Sequence, residues 1–253
     1  MTTIVGVRCK DGVVIGTDSS ATFTAGQIPT IEQPVDKVNV ILNMVIVVGT
    51  GAIGLNQRFC SVVESNWAKL NSKTAIDVSK GLAKAAIDDF RETYAQDGNY
   101  GAMVAFAAAD QPQLCEFATQ GFQPELKTSK GAWYCSMGSA QLITDPFLGF
   151  IRDVYWGDEV PGLHDGIFAV TWTLQQAIEL NAGGVKGPIR MAVLEKEQHK
   201  ARGWKARLLG AEELQEHHTH IGSAKQLLKE LRQQQKGDAG AAALPPVPSP
   251  GPD

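Results

Sequence analysis

The chain has 253 residues, 23 basic and 27 acidic side chains, a net charge of −4 and 43% hydrophobic content. That is enough apolar material for one large domain or two small ones, and the mildly acidic balance argues against a nucleic-acid-binding surface. No apolar run reaches the ~18 residues a membrane span needs and no signal peptide is visible, so the expectation is a cytoplasmic protein with no membrane partner. Residues 3–9 and 13–17 are β-branched runs around Lys10-Asp11-Gly12, a hairpin with an Asp-Gly turn. A second hairpin is written in residues 37–42 and 45–49 around Asn43. Helical spacing then predicts a packed pair over 53–70 and 76–95. Strands follow at 102–109, 113–118 and 132–137, then a helix over 139–156 bent by Pro146 and another over 164–180. Strands at 189–194 and 204–208 close the set, giving mixed α and β structure. Beyond them, a short helix is expected at 211–216 and an amphipathic one at 224–235, with Ser223 as N-cap and Leu227, Leu228 and Leu231 on a face that reads either as a docking stripe or as part of a solvated helix. Residues 237–253, rich in Pro, Ala and Gly, are expected to be disordered.

Thr2, directly behind Met1, carries the chemical signal. Aminopeptidases remove an initiator methionine readily before a small residue. The new terminus would join a hydroxyl nucleophile to a free α-amine able to act as its base. Such an amine titrates near ~7.7–8.0, close to working pH. Cys9, Cys60, Cys115 and Cys135 show no CxxC spacing and read as buried reduced thiols. His217-His218-x-His220 has metal-ligand residue types but no convincing fourth ligand, so no metal site is assigned.

The run Thr2-Thr3-Ile4-Val5-Gly6-Val7-Arg8, followed by Val13-Val14-Ile15, Asp18 and Ala21-Thr22, resembles proteasome-type β subunits of the N-terminal nucleophile hydrolase superfamily. It is especially similar to HslV-type ring proteases and bacterial proteasome homologues. The resemblance spans roughly residues 2–195 in family order. It implies an α+β fold, a four-layer αββα sandwich, over 2–209, with a helical extension at 210–236 outside the match. It also implies Thr2 as nucleophile, Asp18 and Lys37 as a supporting ion pair and the Gly49 N–H in an oxyanion hole. Ser139, after Gly138, would bond near the terminal amine, and Val47, Thr50 and Gly51 would line a modest apolar substrate pocket. No cofactor is implied. Expected partners are further copies of the chain in stacked hexameric or heptameric rings and polypeptide substrates; related particles are fed by an unfolding ATPase, and the sequence leaves open whether one serves this chain.

Two positions depart from the pattern. The interval from Ala25 to Asp36 is longer than the family's loop. Where the family carries an aspartate that orders the N-terminal amine, this chain has Asn181-Ala182-Gly183-Gly184, which accepts a hydrogen bond without supplying a charge. Each site residue also has an ordinary use: Asp18 as a turn residue, Lys37 as an edge-strand charge, Gly49 and Gly51 as breakers, Ser139 as a helix N-cap. A threonine peptidase subunit is therefore read against two alternatives, a catalytically weak or inactive ring scaffold and a small-molecule amidase.

Overall fold

A computed structural model describes residues 2–25, 28–95, 98–128, 131–180, 184–197 and 203–237. The Asp-Gly turn joins β1 (Thr3–Arg8) to β2 (Gly12–Thr17), paired antiparallel from Ile4↔Thr17 to Arg8↔Val13. With β10 (Tyr134–Gly138), β11 (Arg190–Lys196) and β12 (Trp204–Leu208) they build a five-stranded sheet ordered β10-β1-β2-β11-β12. A second five-stranded sheet runs β5 (Val38–Ile41), β6 (Val45–Gly51), β7 (Tyr100–Ala108), β8 (Gln111–Phe117) and β9 (Pro124–Lys127). The two sheets pack face to face through Ile4, Ile15, Ile46, Val48, Met103 and Leu114.

Each sheet is covered on its outer face by helices. Helices α1 (Ile53–Leu70) and α2 (Ala75–Arg91) press Phe59, Val63, Leu82 and Phe90 onto Val45, Val47, Tyr100 and Phe117 of the second sheet. On the other side, α3 (Gln141–Ile151) and α4 (Leu163–Glu179) set Leu148, Val170 and Leu174 against Val5, Val7, Val14 and Val193. The result is the four-layer αββα sandwich. Strands covered on both faces need apolar residues on both, which is why β2 is buried at every position and reads as a run rather than an alternation.

Four features differ from the sequence reading. The long 25–36 interval holds β4 (Ile28–Pro34), which folds back on β3 (Ser20–Ala25) as a two-stranded ribbon whose cross-strand pair Phe23↔Ile31 is left half exposed. The short strand β9 was not expected. Pro146 lies inside α3, which ends at Ile151 and passes into a π-helical turn over Arg152–Trp156. Finally, the two C-terminal helices are one, α5 (Ala211–Gly237). Ser223 is not its N-cap but a mid-helix residue whose hydroxyl bonds back to the Thr219 carbonyl at 3.1 Å. Glu213 closes the true start of α5, accepting from the Gly210 N–H at 2.8 Å and pairing with Arg207. Ile221 is fully buried against Trp172 and Ile151, while Leu227, Leu228 and Leu231 stay exposed in the single chain. Among the described residues no helix is long and apolar enough to cross a membrane. The tail beyond Gly237 lies outside the described residues.

Candidate active site

Asp18 follows β2 at the end of its pairing with β1, and the sandwich closes over it completely. A buried carboxylate must find donors to offset lost hydration, and it finds several. The Thr3 N–H donates to Oδ1 at 3.0 Å, the Ser20 N–H to Oδ2 at 3.1 Å, and Lys37 Nζ reaches Oδ1 at 2.7 Å. Lys37 precedes β5 in the other sheet, so this ion pair ties the two sheets together at the edge of the core. Only 8% of Lys37 is exposed. Burial lowers its pKa below the ordinary lysine value, opposed by the charge and hydrogen bond of Asp18.

Thr2 sits one residue ahead of β1, half-buried and held by its backbone. Its carbonyl accepts the Ser139 N–H at 2.8 Å and the Ser139 hydroxyl at 3.4 Å. The clamp depends on Gly138, whose φ of +102° is a conformation side chains rarely adopt. A Cβ there would lie 2.0 Å from the Thr2 oxygen. Gly138→Ala is expected to lower unfolding free energy by at least the ~1–3 kcal/mol typical of such strain and to displace Thr2; denaturant unfolding measures the first effect. Ser139 is thus beside Thr2 as expected, but it does not cap α3, whose N-cap is Ala140 without a side-chain bond.

Thr2, Lys37, Gly49, Thr50 and Gly51 open together on one cleft of about 360 Å³. Strand β6 pairs with β7 through Gly51 but with β5 only to Val48. From Gly49 onward the strand therefore has no β5 residue opposite it, and Gly49, Thr50 and Gly51 line the cleft. Gly49 has no room for a side chain, because a Cβ would meet Asn56 Oδ1 at 2.2 Å. Asn56 is in turn fixed by the Tyr100 hydroxyl at 3.0 Å. Val47 is a correction: it is fully buried under α1 and does not line the cleft. The sequence reading missed Ala21, Thr22, Ala52, Ile53, Asn56 and Gln57, which do. The first two belong to β3 of the unforeseen ribbon, and the rest open α1, so only tertiary structure shows which of its first residues face Thr2. Asn181 lies outside the described residues.

The proteasome subunit family model matches residues 1–148. The chain belongs to the proteasome subunit family. No curated protein matches it at the level of sequence. Among solved structures it is similar to Anbu, an ancestral β-subunit from Yersinia bercovieri, at 12% identity and a TM-score of 0.67, over 98% of this chain and 100% of that one. At that identity the likeness speaks for the fold alone.

Proposed function

We propose that this proteasome-family subunit is a threonine peptidase that acts after Met1 is removed, within stacked homo-oligomeric rings that admit unfolded polypeptides. The observation that carries the reading is the shared cleft: Thr2, Lys37 and Gly49 open onto it above the buried Asp18. In this mechanism the Thr2 hydroxyl attacks the substrate carbonyl and its proton passes to the Thr2 α-amine. The neighbouring Lys37 ammonium keeps that amine neutral and stabilises the forming alkoxide. Asp18 holds Lys37 charged and in place. The Gly49 N–H receives the oxyanion, an effect worth ~2.7–4 kcal/mol per donor. The leaving amine takes the proton, an ester forms on Thr2, and water hydrolyses that ester with the α-amine as base. Thr50, Gly51, Ala52 and Ile53 offer a small pocket, in a cleft of mixed polar and apolar lining, for the residue ahead of the scissile bond.

Intact-mass analysis of the purified particle tests the proposal, before and after an electrophile that needs both the hydroxyl and the amine of a terminal threonine. The expected result is a chain lacking Met1 that gains one adduct on Thr2. A retained Met1 in the assembled particle, or no adduct, would reject the peptidase in favour of a ring scaffold.

A further inference from the structure

Three histidines from two distant segments meet where α5 crosses α4. His164 stands in the first turn of α4, and His217 and His220 are three residues apart on α5, hence on one face of it. One ring nitrogen from each lies within 4.8 Å of the others. His218 is not part of the group: the helix turns it away, and its Nδ1 lies 3.2 Å from Gln175 Oε1. The central residue, His217, is only 3% exposed, and its Nδ1 has no hydrogen-bond partner. A buried imidazole nitrogen without a partner is costly, and an imidazole packed beside two others is a ligand set that a metal ion would satisfy. Glu216 brings a carboxylate oxygen to the edge of the cluster, 3.6 Å from His164 Nε2.

We propose that His164, His217 and His220 bind a first-row divalent cation, zinc or a metal of similar preference, which fastens the C-terminal helix to the sandwich. Three imidazoles leave a fourth position for water or the Glu216 carboxylate. Nitrogens bound tetrahedrally at ~2.0–2.1 Å from zinc lie about 3.4 Å apart. His164 and His220, both exposed at the surface, have room to rotate toward the buried His217 to close the present spacing. The site lies away from the Thr2 cleft and does not depend on the peptidase reading. Its physical effect would be to lock α5, whose last turns project with their leucines exposed.

Titration of the full-length, metal-stripped protein with Co²⁺ and Zn²⁺ tests this, read by visible absorption and by calorimetry. One ion per chain is expected, with a cobalt spectrum free of thiolate charge-transfer bands. Affinity should fall at least about tenfold in His164→Ala and in His220→Ala, and should be unchanged in His218→Ala. Zinc should raise the melting temperature of the wild-type chain and not of His164→Ala, as expected of a ligand that binds only the folded state. The proposal is overturned by absence of stoichiometric binding, by undiminished binding in either single variant, by a thiolate band, or by equal loss in His218→Ala.

Discussion

Thr2→Ala is expected to lower peptide hydrolysis by about 10⁴-fold or more, the scale of removing a nucleophile from an acyl-transfer site. The fold should not suffer. Thr2 is anchored through its carbonyl by the Ser139 N–H at 2.8 Å, and the following residue's N–H is anchored on Asp18 at 3.0 Å. Neither contact uses the Thr2 side chain. The variant should therefore assemble and melt like the parent while losing both hydrolysis and labelling. Thr2→Ser, which keeps hydroxyl and amine, should retain measurable turnover. Hydrolysis undiminished in the alanine variant would place the nucleophile elsewhere and end the proposal.

The parts of this molecule legible in the sequence are those where local pattern and tertiary environment agree. The β1–β2 hairpin announces itself through Asp11-Gly12 between β-branched runs, and α1 through six buried positions at helical spacing. The β3–β4 ribbon is hard to read because Phe23 and Ile31 stay half exposed, its apolar residues are interspersed with Thr, Glu and Gln, and Pro29 and Pro34 read as loop. The unity of α5 was hidden by His217, His218, Thr219 and Gly222, poor helix formers that divide its apolar pattern. Burial of Ile221 against α4 overrides that weakness. Of the residues picked out by order along the chain, the fold brings Thr2, Lys37 and Gly49 to one cleft, with Asp18 buried behind Lys37 and Ser139 on the Thr2 carbonyl, while Val47 does not line it. Alternation in β6 puts Val45 and Val47 under α1, while the cleft opens only at the strand's end. The histidine cluster shows the same limit. Adjacency in sequence points to His218, whereas helix phase removes it and the fold supplies His164 from 53 residues upstream of His217.

The two members of the buried ion pair should respond differently to substitution. Lys37→Met leaves Asp18 with the Thr3 and Ser20 N–H donors at 3.0 and 3.1 Å, so the fold should survive at modest cost. Acylation should nevertheless slow by roughly 10²–10³-fold, the scale of losing one group that stabilises developing charge. Asp18→Ala instead strands an ammonium that is only 8% exposed and strips both backbone donors of their acceptor. Removing one partner of a buried pair costs about 3–5 kcal/mol, and this variant should be clearly less stable than Lys37→Met. Its stability should also depend on pH with a definite sign. Burial already lowers the Lys37 pKa, and Asp18 is what raises it back. Without Asp18 the folded-state pKa drops further below the unfolded value. Between those two values the unfolded chain binds the extra proton, so stability rises with pH through that window and is lowest beneath it. Unfolding free energies of Asp18→Ala from neutral to alkaline pH should therefore climb relative to those of Lys37→Met, which lacks the group. Parallel profiles would mean that Asp18 does not hold the lysine charged, and the electrostatic half of the mechanism would fall with it.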